Sequence, residues 1–212
     1  MLELIAVIAL SYLLGSIPTS ILVAKKLRGI DIRQHGSGNA GGTNVFRVLG
    51  WKPGLFVMLA DTFKGFIATY WISRIAFGAA GMEDTTVQLI AGIAAVFGHI
   101  WTVFASFRGG KGVGTSAGML LALYPQALLI CLGVFAIVFA LTRIVSIGSM
   151  TAAVAFPIVL TLQRCCFGKT IPDLLYAFGF FAAALIIFTH RSNIKRLLSG
   201  TENRFKRSAG KE

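Results

Sequence analysis

The sequence predicts an all-α fold: a polytopic membrane helix bundle of seven transmembrane helices, with the N-terminus outside and the C-terminus cytoplasmic. Three observations carry this expectation. Of 212 residues, 56% are apolar and only 13% are charged, a composition that belongs in a bilayer. Apolar segments recur from end to end, and the basic residues fall between them instead of gathering on one soluble face. The net charge of +12 therefore reads as membrane topology, and no nucleic-acid partner is expected.

The spans lie at roughly 3–24, 54–76, 86–105, 113–127, 128–143, 145–163 and 171–189. Each is judged against the ~20 apolar residues needed to cross a bilayer. The fourth is short and meets Pro125. Charge argues for keeping it. With seven spans and the N-terminus outside, every Lys and Arg except Lys64, Arg74, Arg164 and Lys169 falls on the cytoplasmic side. Without the fourth span the basic residues from Arg191 onward would lie outside, against the positive-inside bias. The first span carries Glu3, has no basic n-region and is longer than a signal-peptide core, so it is expected to be retained. With no long polar linker, one membrane-embedded domain over 1–205 is expected, followed by a basic cytoplasmic tail at 206–212.

Neither a structural metal nor a disulfide framework is suggested. Cys131, Cys165 and Cys166 form no CxxC spacing, and His35, His99 and His190 form no HExxH pair. The seven-span arrangement instead places every polar, glycine-rich segment on the cytoplasmic face, where a site built from several segments becomes possible.

Ser106 to Gly118, S-F-R-G-G-K-G-V-G-T-S-A-G, sets Arg108 and Lys111 among five glycines, including Gly109, Gly110 and Gly112. Glycine brings backbone N–H groups close to a bound anion, and a following helix adds its positive end. A nucleotide P-loop does not fit: on Gly110 and Lys111 the pattern GxxxxGK[ST] would put Ala105 at the first glycine and Gly112 at the hydroxyl. An oxyanion cradle is the functional reading; a glycine-rich turn with membrane-surface cations is the alternative.

Gly36 to Arg47 adds four glycines with Ser37, Asn39, Thr43 and Asn44, and the Arg47 guanidinium as a fork for phosphate. In the second span Asp61 and Lys64 share a helix face, either as a structural ion pair or as groups that orient the loops. His99 precedes the second glycine-rich loop, where a satisfied internal partner is the ordinary role. Ser146 and Ser149 share a face of the sixth span, as a close helix contact or a hydroxyl pair. His190 and Asn193 stand three apart where the last span ends, suited to binding a phosphate or to acting as base and oxyanion donor.

In combination these segments resemble one family, the bacterial acyl-phosphate:glycerol-3-phosphate acyltransferases, or PlsY family. GSGNxGxTNVxR is matched from Gly36 to Arg47 and GHxxxVFxxFxGGKGV from Gly98 to Val113. Ser146 and Ser149 fit a third motif, HxxNIxRLxxGxE is matched from His190 to Glu202, and Asp61, Lys64 and Gly65 correspond. The resemblance covers nearly the whole chain. Gly42 and Gly114 stand where the family usually has alanine, Thr102 where it has proline and Thr189 where it has arginine; the two glycines are expected to loosen their loops slightly.

The resemblance implies transfer of a fatty acyl group from acyl phosphate to the 1-hydroxyl of glycerol 3-phosphate. The products would be lysophosphatidic acid and phosphate, an early step of phospholipid biosynthesis in the bacterial cytoplasmic (inner) membrane. The implied site faces the cytoplasm, with membrane lipids around it and the enzyme that makes acyl phosphate as its functional neighbour. It further implies that Lys111 and Arg47 neutralise phosphate and that Ser37 and Asn39 position it. Ser149, His190 and Asn193 would hold glycerol 3-phosphate and the reacting centre. No cofactor is needed for a mixed anhydride with a good leaving group. Whether His190 is a general base or orients substrate stays open, as do acyl-chain preference and oligomeric state. The rival reading, an organophosphate transporter, fits less well, because its site would lie near the midplane between repeats. Acyl transfer through HxxxxD finds no support: five residues after His35, His99 and His190 stand Ala40, Phe104 and Lys195.

Overall fold

Pro18 breaks the first apolar stretch, so residues predicted as one span form two helices, α1 (Leu2–Ser16) and α2 (Thr19–Arg28). The computed structural model describes residues 1–78 and 81–205; the predicted tail at 206–212 lies outside the described residues. Every regular element among the described residues is helical. Helix α2 stops at Gly29, whose φ of 68° is the left-handed conformation that favours glycine, and Lys25, Lys26 and Arg28 complement its negative end. The remaining helices are α3 (Gly42–Leu49), α4 (Trp51–Tyr70), α5 (Asp84–Ile100), α6 (Val113–Leu123), α7 (Pro125–Thr142), α8 (Val145–Cys165), α9 (Asp173–Thr189) and α10 (Arg191–Leu198).

Among the described residues, five stretches are long and apolar enough to cross a membrane, or six if α9 and α10, bent by 58°, count as one span. Helix α6 has 11 residues. At 1.5 Å per residue it is about 16 Å long, well short of a ~30 Å hydrocarbon layer. Its boundary with α7 also differs from expectation. Pro125 starts α7 instead of ending the helix before it, because a proline costs nothing at a first helical position whose N–H has no helical acceptor.

Contacts gather the chain into two compact units, one ending at Pro125 and one beginning at Gln126. In the first, small residues let helices approach backbone to backbone. A Cβ on Gly15 would strike the Ala95 carbonyl, and one on Gly98 the Tyr12 carbonyl, which locks α1 to α5. Gly65 and Gly118 do the same for α4 and α6, facing the Thr115 and Thr62 carbonyls. Ala24, Ile32, Val45 and Val57 are fully buried together and anchor the segment between α2 and α3. In the second unit α8 packs on α9, where Gly179 lies close to Pro157. Thr161, one turn after Pro157, returns its hydroxyl to the Pro157 carbonyl at 2.8 Å.

Candidate functional site

Two loops of the first unit carry most of the predicted phosphate-binding residues. In the loop from Ile30 to Gly41 the organiser is Asn44, at the start of α3. Its Nδ2 donates to the carbonyls of Ile32 (3.1 Å), His35 (2.9 Å) and Asn39 (3.1 Å), and its Oδ1 accepts from Ser37 N–H at 2.8 Å. Only 1% of Asn44 is exposed. Sequence reasoning placed it among the phosphate ligands; its amide instead builds the loop that carries Ser37 and Asn39. Thr43 and Arg47 project from α3 itself.

The second loop leaves α5 through a 3₁₀ turn, Val103–Ala105, and passes Ser106 and Phe107 at φ 55° and 58°. Gly109 N–H then donates to the Ile100 carbonyl and Gly110 N–H to the His99 carbonyl, each at 3.0 Å. These bonds satisfy carbonyls in the last turn of α5, which a helix end leaves open. The N–H groups of Gly109 and Gly110, expected to face an anion, are engaged by these carbonyls. Their requirement for glycine is steric: a Cβ on Gly109 would meet the His99 carbonyl, and one on Gly110 the His99 ring and the Ala40 carbonyl. Gly112, at φ 86°, is the N-cap of α6, so Arg108 and Lys111 lie on the loop running into that helix.

Beneath this loop is a small polar cavity, lined among others by Pro18, Ala40, Asp61, Lys64, His99 and Gly110. Lys64 Nζ lies 2.9 Å from Asp61 Oδ1, with both side chains 6% exposed. His99 Nδ1 approaches the same carboxylate oxygen at 3.6 Å. The ammonium also donates to the Ile17 carbonyl at 3.1 Å, capping α1 where Pro18 breaks it. Asp61 and Lys64 thus form an ion pair at a depth where single charges are costly. Thr102, where the family usually has proline, donates its hydroxyl to the Ser16 carbonyl, which proline cannot do. The other departures behave differently from each other. Gly114 lies inside α6 with room for a Cβ. Gly42 packs against Met58 and Gly54 of α4 with none, so it does not loosen its loop.

The second unit holds the remaining predicted residues. Ser146 and Ser149 lie in the first turns of α8, and His190 and Asn193 at the α9–α10 junction; all four are buried. His190 Nδ1 is 2.8 Å from the Ile186 carbonyl. A carbonyl only accepts, so Nδ1 carries the proton and, in the neutral ring, Nε2 carries the lone pair. Glu202, which the sequence reading quoted in a motif but gave no role, is the hub of this group. Its Oε1 accepts from Asn193 Nδ2 (2.6 Å) and Ser146 Oγ (2.9 Å), and its Oε2 from Arg196 Nε (2.7 Å). Burial pushes the Glu202 carboxyl up, but the bonds from Asn193, Arg196 and Ser146 outweigh it and hold its pKa below the ordinary value. An acidic residue among the basic residues of the C-terminal segment was the available signal. Arg191 lies over the Phe188 ring, 4.8 Å from its centroid, and Thr189 bonds back to the Ile186 carbonyl.

An all-helical integral membrane protein is thus defined. It has cationic glycine-rich loops in one unit and, in the other, a buried group of His190, Asn193, Ser146 and Glu202. Residues 5–200 match the family model described as glycerol-3-phosphate acyltransferase, and the chain belongs to that family. It is 49% identical to the glycerol-3-phosphate acyltransferase of Chlorobaculum parvum, over 96% of this chain and 97% of that one. The enzyme of the same name from Chlorobium phaeobacteroides is 47% identical over 97% and 98% of the two chains. Among solved structures, the glycerol 3-phosphate form of PlsY, an integral membrane glycerol 3-phosphate acyltransferase, is similar with a TM-score of 0.82. It is 39% identical over 96% of each chain. The lysophosphatidic acid form of PlsY gives a TM-score of 0.79 at 38% identity, over 96% of this chain and 95% of that one.

Proposed function

We propose that this protein transfers a fatty acyl group from acyl phosphate to the 1-hydroxyl of glycerol 3-phosphate, releasing lysophosphatidic acid and inorganic phosphate. The observation that carries the reading is the near full-length similarity to PlsY, solved in a glycerol 3-phosphate form and a lysophosphatidic acid form. Acyl phosphate as donor is supported by the residues. Both it and glycerol 3-phosphate carry phosphate, and the cations Arg47 and Lys111 beside the two loops suit an anion.

In the reaction the glycerol 1-oxygen attacks the acyl carbonyl, a C–O ester bond forms, and the carbonyl–phosphate C–O bond breaks. Phosphate leaves with the bonding pair. Lys111 and Arg47 neutralise the phosphate, with Ser37, Asn39, Thr43 and Gly112 shaping its seat and Arg108 beside it. Ser149, His190 and Asn193 are the residues assigned to glycerol 3-phosphate and the reacting carbonyl, with His190 either taking the hydroxyl proton on Nε2 or orienting the substrate. Most of the acceleration comes from holding hydroxyl against carbonyl and from donors aimed at the developing oxyanion.

The topology belongs to the same proposal: seven crossings, N-terminus outside, loops on the cytoplasmic side of the bacterial inner membrane, near the enzyme that supplies acyl phosphate. The distribution of Lys and Arg supports it. The short α6 would cross with its backbone laid against α4 at Gly65 and Gly118.

The deciding experiment is phosphate release by the purified protein in lipid nanodiscs, given acyl phosphate with and without glycerol 3-phosphate. Acyl-CoA as donor and EDTA serve as parallel arms. Release that requires glycerol 3-phosphate, yields lysophosphatidic acid and survives EDTA supports the reading. Turnover with acyl-CoA alone overturns the choice of donor. Lys111→Ala is expected to abolish release while the protein stays folded.

A further inference from the structure

The two glycine-rich loops of the first unit are joined by a side chain outside every residue assigned above. Arg33 Nη1 donates to the Ala105 carbonyl at 2.9 Å, across 72 positions of sequence. The rest of its guanidinium is clamped by Asp31: Nε lies 3.1 Å from Oδ1 and from Oδ2, and Nη2 lies 2.7 Å from Oδ2. Asp31 is itself fixed, because its Oδ1 also accepts Arg33 N–H at 3.0 Å and caps the 3₁₀ turn Ile32–Gln34. A planar fork whose Nε and Nη2 are held by a carboxylate has its plane and direction fixed, and so presents Nη1 to the Ala105 carbonyl.

Ala105 is a sensitive place to hold. Its carbonyl also accepts Arg108 N–H at 3.1 Å, closing the turn that contains Ser106 and Phe107. Both have left-handed φ values, which residues with a Cβ keep only where their surroundings over-determine them. Lys111 follows three residues after Arg108.

We infer that Arg33 is a positioning residue: with Asp31 it sets the spacing between the loop that carries Ser37 and Asn39 and the loop that runs into Lys111. The inference rests on the reading above, in which both loops recognise phosphate. It differs from the simpler idea that Arg33 is a phosphate ligand, and Asp31 separates the two. If Arg33 touched phosphate, neutralising Asp31 would release the guanidinium and strengthen phosphate binding. If Arg33 works by being aimed, neutralising Asp31 weakens it.

The test uses the full chain in nanodiscs and compares wild type, Arg33→Gln, Arg33→Lys and Asp31→Asn. KM for acyl phosphate, kcat, inhibition by inorganic phosphate and Tm are measured for each. Arg33→Gln and Asp31→Asn are expected to raise KM and the phosphate inhibition constant together, roughly tenfold, the change for one lost charge-assisted bond, with kcat within about threefold. Arg33→Lys, which keeps the charge without the fork, should fall between. An unchanged or lowered KM in Asp31→Asn overturns the inference, and so does a fall in kcat and Tm with KM unmoved in Arg33→Gln.

A second readout needs no turnover. Spin labels at the exposed Gln34 and Phe104, in protein whose three cysteines are replaced by serine, report the distance between the loops. That distribution should broaden in Arg33→Gln; equal widths overturn the inference even where acyl phosphate proves to be the wrong donor.

Discussion

Asn193 Nδ2 donates to Glu202 Oε1 at 2.6 Å, and the same oxygen accepts the Ser146 hydroxyl at 2.9 Å. One carboxylate thereby directs two side chains that come from different helices. Arg196 holds its other oxygen and keeps it ionised. The Glu202 side chain is 4% exposed, so these bonds are not exchanged for water when one is lost.

Glu202→Gln is expected to destabilise the protein by about 2 kcal/mol at pH 7, the scale of hydrogen bonds to a buried charge. The pH dependence follows from the lowered pKa. A carboxylate depressed in the folded state adds stability above its unfolded pKa, about 4.3 for Glu, and loses it as pH falls through the folded value. Thermal unfolding in detergent at a series of acidic pH values should show a shallower loss in Glu202→Gln than in wild type. Parallel curves would remove Glu202 from this role.

Lys64→Met leaves Asp61 charged in an apolar span and removes the donor to the Ile17 carbonyl. The expected loss is about 3–5 kcal/mol. Asp61→Asn combined with Lys64→Met should be less damaging than Lys64→Met alone, because no uncompensated charge remains. A double variant as unstable as the sum of the single ones would show that the pair is not the relevant unit.

The two glycines that stand in place of the family's alanines should respond in opposite directions. Gly114→Ala adds a Cβ at 3.4 Å from Asp61 Cβ inside α6 and is expected to stabilise by about 0.5–1 kcal/mol. Gly42→Ala puts a Cβ 3.0 Å from Met58 N and 3.1 Å from the Gly54 carbonyl, backbone atoms that yield little. It is expected to cost about 1–3 kcal/mol. Melting temperatures of the two variants decide the point.

His190→Gln tests the proton's destination. With the proton on Nδ1 at the Ile186 carbonyl, Nε2 is the basic atom. Loss of a general base lowers kcat by about 10²–10⁴-fold and removes the rise of kcat on the acid side of its pH profile. An acid limb that persists in His190→Gln would assign the proton to the substrate phosphate and leave histidine to orient.

The sequence by itself determined that the chain is helical and membrane-embedded, and where its four motifs lie. Apolar run length, glycine clusters and the three-residue spacing of Asp61 and Lys64 are local properties that survive without knowledge of the fold. Pro125 was legible too, although whether it ends one helix or starts the next depends on which neighbouring backbone groups find partners, and the break at Pro18 emerged only in the structure. Tertiary structure decided what each polar group does. Asn44 looked like a ligand and is a loop organiser, Gly109 and Gly110 looked like donors to an anion and close α5, and Glu202 had no assigned task and joins Ser146, Asn193 and Arg196. Arg33 meets a carbonyl 72 residues away. Hydrogen-bond satisfaction and room for a Cβ depend on segments that the chain brings together only when folded, and no spacing along the sequence encodes them.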